Sequence, residues 1–131
     1  MPYLYENPNN IIWNKSKEFA VRIVKLSQFL QNDKHEFVLS HQILKSGTSI
    51  GANIRESKNA QSISDFIHKL EIALKESDET EYWLDLLFET DYIPTEQYQL
   101  LLSQNKELTA LLVSIIKKMK IKRDNIDNNN K

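Results

Sequence analysis

All three prolines of this 131-residue chain, Pro2, Pro8 and Pro94, lie outside its apolar-periodic stretches, and the chain has only two glycines. Proline inside a helix removes a backbone donor and clashes with the preceding turn, so it punctuates helical sequences from without. Long uninterrupted periodic runs joined by brief polar turns therefore predict helices rather than strands. The fold class that follows is all-α.

In the first run, Ile12, Ser16, Phe19, Ile23, Leu26 and Leu30 recur at spacings of three and four, the stripe that a bundle helix turns toward its core. This predicts a helix from about residue 10 to 32, capped by Asn9 or Asn10. Further helices are expected at about 36–58, 64–90 and 95–123. Ser62 or Ser64 can cap the third, with Asp65 near its positive end, and Thr95 can cap the fourth, followed by Glu96 and Gln97 in the first turn. Short connections make neighbouring helices antiparallel, so an up-down-up-down four-helix bundle in one domain spanning residues 1–131 is the expected architecture. The polar tail from about residue 124, DNIDNNNK, has too little apolar surface to offset its ordering and is expected to be disordered.

Within the second helix, Ile43, Leu44, Gly47, Ile50, Gly51 and Ile54 fall on one stripe. Each glycine costs a helix about 1 kcal/mol relative to alanine, which points to close helix packing at Gly47 and Gly51. Asn53 is grouped with them as a close-packing position, and Ser46, Ser49, Asn53 and Glu56 form a polar ridge beside the stripe. Gly47-x-x-x-Gly51 is no phosphate loop, since no strand precedes it and no Lys-Ser/Thr follows.

The third helix has two apolar faces. Phe66, Leu70, Ala73, Ser77, Leu84 and Phe88 turn inward, whereas Ile72, Trp83 and Leu86, with Tyr82 at the margin, fall on nearly the opposite side. An aligned outer patch of this kind marks a subunit contact, so Ile72, Tyr82, Trp83 and Leu86 are the candidate oligomer interface. Charge is segregated too: residues 62–96 hold 2 Lys/Arg against 10 Asp/Glu, while residues 1–61 hold 8 against 5 and residues 97–131 hold 7 against 3. Acidic and basic faces on one chain favour head-to-tail association, the heterologous contact that closes rings.

The chain lacks cysteine, which removes disulfides and thiolate metal sites. No run of about 18 apolar residues suggests a membrane span, and residues 1–17 lack the parts of a secretory signal, so a cytoplasmic location is expected. Asp65, His68 and Glu71 resemble half of a bundle carboxylate–histidine metal site, but no second such pair exists to complete it. His35 and His41 likewise lack partners at ligand spacing. Neither an enzyme activity nor a cofactor is expected.

The segments SGTSIGANIRES, DFIHKLEIALKESDETEYWLDLL and EFAVRIVKLSQFL resemble the four-helix-bundle proteins of 23S rRNA intervening sequences. The resemblance spans about residues 11–120, and its S-x-x-S-I-G-A-N core stands here as Ser46, Ser49, Ile50, Gly51, Ala52 and Asn53, followed by Glu56. That family is similar in fold to the accessory variability determinant proteins of diversity-generating retroelements, pentameric barrels with a basic surface that bind nucleic acid. The resemblance implies a homopentameric ring and no enzyme activity. The net charge of −1 departs from those barrels and narrows any nucleic-acid surface to a local cluster. Lys117, Lys118, Lys120, Lys122 and Arg123, at the end of the fourth helix, are that candidate cluster. Two expectations follow: an oligomeric module for RNA, DNA or nucleoprotein, or an adaptor ring that recruits a protein partner.

Overall fold

The structure is a computed structural model that describes residues 10–130. It is a four-helix bundle with α1 Ile11–Asn32, α2 Val38–Glu56, α3 Ile63–Glu89 and α4 Thr95–Asn129, and a 3₁₀ turn Ser57–Asn59 follows α2. No strand occurs among the described residues. One core runs through it, built from Ile12, Phe19, Ile23, Leu26 and Leu30 of α1, Ile43, Ile50 and Ile54 of α2, Phe66, Ile67, Leu70, Leu84 and Leu87 of α3, and Leu101, Leu108, Leu112, Ile116 and Met119 of α4. Each such side chain contributes about 1.5–3 kcal/mol on burial, which is why the 3.6-residue periodicity of the sequence decides the fold.

Residue pairs across the seams fix their registers. Ser27 meets Ser40 and the Gly47 backbone meets Ile23 between α1 and α2. Ser46 meets Thr80 and Glu56 meets Lys69 between α2 and α3. Tyr98 meets Asp85, Asn105 meets Ser77, and Lys120 meets Glu71 between α3 and α4. At each seam higher numbers on one helix meet lower numbers on the next. The α1–α4 seam, crossed by the Lys15–Glu107 ion pair, is the thinnest of the four.

Several of these pairs are buried hydroxyls. Ser27 Oγ lies 2.8 Å from Ser40 Oγ, with Gln31 Nε2 donating to Ser40 Oγ at 3.0 Å. The Thr80 hydroxyl lies 3.0 Å from Ser46 Oγ, and Ser77 Oγ 3.1 Å from Thr109 Oγ1. Small hydroxyl residues let backbones approach while satisfying one another, so they mark seams and not chemistry.

The element ends correct several sequence expectations. Asn10 caps α1, its side chain accepting from the Trp13 N–H, whereas Asn9 lies outside the described residues. Helix α2 begins at Val38 because Glu36 acts from before it, its carboxylate accepting from the Leu39 and Ser40 N–H groups at 3.1 and 3.0 Å. Ser62 caps α3 through the Asp65 N–H. Thr95 is not the cap of α4: Pro94 holds that position and Thr95 is the first helical residue. The tail expected to be disordered is helical to Asn129, and Lys131 lies outside the described residues. Ile126 falls seven residues after Met119, two helical turns on, and with Arg123 and Asp127 forms a shallow pocket against the cap Ser62 and the first residues of α3, Ile63 and Ser64. Ile126 keeps the phase of the α4 stripe beyond Arg123 but is 41% exposed, and the buried part of that stripe ends at Met119.

Helix α3 ends in a left-handed turn. Asp91 has φ 65°, its N–H donates to the Phe88 carbonyl and the Tyr92 N–H to the Leu87 carbonyl, the paired bonds of a Schellman cap.

Candidate functional site

The basic end of α4 is not a single face. At roughly 100° per residue, Lys117, Lys118, Lys120, Lys122 and Arg123 are distributed around the helix axis. Lys120 Nζ is 3.3 Å from Glu71 Oε2, and Arg123 contacts both Asp124 Oδ1 and Ser64 Oγ at 3.4 Å. Lys117, Lys118 and Lys122 are exposed. Among the described residues no carboxylate lies within ion-pairing distance of Lys117 or Lys118, so these two present uncompensated charge on the outward side of α4. Ile121, 54% exposed, lies between them on the same side.

On α3 the structure sorts the outer apolar residues by role. Tyr82 is 60% exposed, whereas Ile72, Trp83 and Leu86 are half-buried. Trp83 packs against the core cluster, its indole N–H donates to Glu79 Oε1 at 3.3 Å, and Tyr82 meets its ring edge-on with centroids 5.1 Å apart. Tyr82 is thus the tip of a ridge whose base is anchored by Trp83. Carboxylates flank it. Burial first, and then the neighbouring Glu79, pushes the Glu76 carboxyl above its ordinary value.

The two glycines of α2 part company. A Cβ on Gly47 would stand 2.8 Å from Ile23 Cγ2 and 2.9 Å from Cγ1, so the α1–α2 approach at this level requires glycine. A Cβ on Gly51 would stand 3.4 Å from the Ser16 carbonyl oxygen, ordinary contact. Gly51 instead floors a surface groove of about 220 Å³ lined by Trp13, Ser16, Ala20, Thr48 and Ala52, with Lys17 and Arg55 at its rim. The Arg55 guanidinium lies over the Trp13 ring, 5.1 Å from its centroid. Asn53 is half-buried, and its Nδ2 donates to the Ser49 carbonyl one turn back at 2.8 Å. The only sequence signal of the groove is the set of small residues on its two helices, Ser16 and Ala20 on α1 and Thr48, Gly51 and Ala52 on α2.

The acid–histidine set of α3 is dispersed. Asp65 Oδ2 accepts from the Gln61 N–H, Glu71 pairs with Lys120, and His68 is exposed. No group of three or more His, Cys, Asp or Glu side chains placed to hold a metal occurs among the described residues, and no helix among them is long and apolar enough to cross a membrane.

Comparison with known proteins gives the chain relatives. It is similar to a protein of unknown function from the S23 ribosomal protein family of Bacteroides thetaiotaomicron, solved by crystallography, with 61% identity, 82% of this chain and 99% of that one covered, and a TM-score of 0.81. No curated protein matches it. The family model described as 23S rRNA-intervening sequence protein matches residues 8–114, which takes in α1 to α3 and the first part of α4 and ends before Lys117. The chain belongs to the 23S rRNA-intervening sequence protein family.

Proposed function

We propose that this protein is a non-enzymatic, oligomeric module that binds RNA or DNA through the outward lysines at the end of α4, repeated around a ring of antiparallel bundles. The observation that carries this reading is Lys117 and Lys118, exposed side by side with no carboxylate in ion-pairing distance among the described residues. Phosphate binding needs cations that are not already neutralised, and it needs no base-reading geometry. The family and the S23 relative carry ribosomal names, which supports nucleic acid over other polyanions. The seam registers support the antiparallel topology, and the second apolar face of α3 supports assembly, for which the family resemblance suggests five subunits. One such cluster is weak, but several on one ring act together on a long strand.

The test is anisotropy of a labelled single-stranded RNA titrated with wild-type protein and with Lys117→Glu/Lys118→Glu. Binding at low salt that the double reversal abolishes supports the proposal. Undiminished binding by the variant places the site elsewhere. Absence of binding by the wild type favours the second reading, an adaptor ring that recruits a protein, for which the exposed Tyr82 ridge is the specific support.

A further inference from the structure

We propose that a second copy of this chain seats its α3 ridge, tipped by Tyr82, in the α1–α2 groove floored by Gly51. The inference rests on the oligomeric part of the reading above and is independent of nucleic-acid binding. It names both halves of the subunit contact, whereas the sequence points to the α3 half alone.

The groove, at about 220 Å³, is smaller than the roughly 300–1,000 Å³ pockets that enclose drug-sized ligands. Ser16, Ala20, Thr48, Gly51 and Ala52 leave the space open, and the Trp13 ring with Arg55 over it closes one end with an aromatic surface. Such a space suits one large side chain from a protein surface. Tyr82 is a large aromatic held outward on α3, and its edge-on contact with Trp83 gives it a fixed base. An aromatic ring already held in place loses little freedom on docking, which is what makes such residues anchors.

Charge selects a second copy over a foreign partner. The groove lining holds two cations and no carboxylate, Lys15, Arg22 and Lys25 of α1 standing against α4 instead, and α3 carries two Lys/Arg, Lys69 and Lys75, against eight Asp/Glu. Lys17 and Arg55 rim the groove, while Asp78 and Glu79 stand exposed beside Tyr82. Docking the ridge into the groove brings opposite charges together around an apolar centre, the arrangement of polar rim and buried anchor seen in stable interfaces. A foreign acidic protein in the groove would leave the α3 ridge uncovered on every molecule. A second copy uses both surfaces at once.

The two surfaces cannot meet within one molecule, because no residue of α3 lines the groove and α1 shares no seam with α3. The contact is therefore heterologous, ridge to groove, and each subunit keeps one free half for the next. Repetition gives a closed ring or an open filament.

The absence of native cysteine makes the test clean. Ala52→Cys marks the groove wall and Glu79→Cys the ridge, leaving Tyr82 in place. A chain with both cysteines, treated without nucleic acid with a short bismaleimide, is expected to give a ladder of covalent oligomers, whereas either single variant is not. Adding Tyr82→Ala to that chain should weaken self-association by about tenfold or more and remove the ladder. Gly51→Leu, which fills the groove, should do the same. Tyr82→Ala replaces an exposed side chain, so the fold survives even where Gly51→Leu perturbs it. A ladder that survives both substitutions, dimers formed by Glu79→Cys alone as readily as by the pair, or a scattering mass of one chain for the wild type would each overturn the proposal. Loss of RNA binding in the lysine reversal with the ladder intact would bear on nucleic acid alone, and the converse on this contact alone.

Discussion

Gly47 and Gly51 look equivalent in the sequence, and the structure gives them opposite sensitivities. The Cβ of Gly47→Ala would overlap Ile23, whose contacting atoms are stiff β-branched ones in the core. Overpacking of this kind costs about 1–3 kcal/mol and outweighs the roughly 1 kcal/mol gained in helix propensity. Denaturant unfolding should find Gly47→Ala less stable than wild type and Gly51→Ala as stable or more so. Equal losses would mean that both glycines are close-approach positions. Tyr98 supplies a second test, as its hydroxyl donates to Asp85 Oδ1 at 2.6 Å and its ring stacks on Phe88 at 4.3 Å. The hydrogen bond to Asp85, then burial and the nearby carboxylates, pushes the phenol up to about 12. A phenol whose pKa rises on folding holds its proton more tightly in the folded state. Its contribution is present in full below about pH 10, the unfolded value, and is lost as pH rises through the folded value. Tyr98→Phe should cost about 1 kcal/mol at neutral pH, and the gap to wild type should close at strongly alkaline pH. A gap that stays constant across that range would show that the bond to Asp85 is not its source.

At the scale of elements, apolar spacing made all four helices legible, because each buries a stripe long enough for its periodicity to dominate. Their ends were less legible. Glu36 continues the polar lead into α2 in the sequence, yet it stands before that helix and caps it through a carboxylate that accepts from the Leu39 and Ser40 N–H groups. Thr95 has a capping side chain, but Pro94 sets the extended backbone that enters α4. The asparagines and aspartates of the tail give it a polar composition that conceals Ile126, two helical turns after Met119 and in phase with it. The last turns of α4 are nonetheless exposed. Truncation after Arg123 should therefore change unfolding free energy by less than about 1 kcal/mol. A larger loss would show that Ile126 and the start of α3 form part of the cooperative core.

For the molecule as a whole, the candidate surfaces were legible as residue types and not as geometry. Composition identified the basic end of α4, but only the fold shows Glu71 pairing with Lys120 and Asp124 with Arg123, which leaves Lys117 and Lys118 as its outward charge. Helical phase identified the α3 face, while the groove between α1 and α2 depends on two helices brought together by residues distant in sequence. The central claim is that nucleic acid is held by these outward lysines as plain phosphate contacts. Its most direct test is the salt dependence of affinity for single-stranded RNA, measured on wild type and on Lys117→Glu/Lys118→Glu. Each phosphate neutralised on a single strand adds about 0.7 to the steepness of log K against log salt, so removing two lysines should flatten the slope by about 1.4 for every contacting subunit. The account predicts a steep wild-type slope and a flatter, weaker variant; equal slopes, or no binding by wild type at low salt, would contradict it.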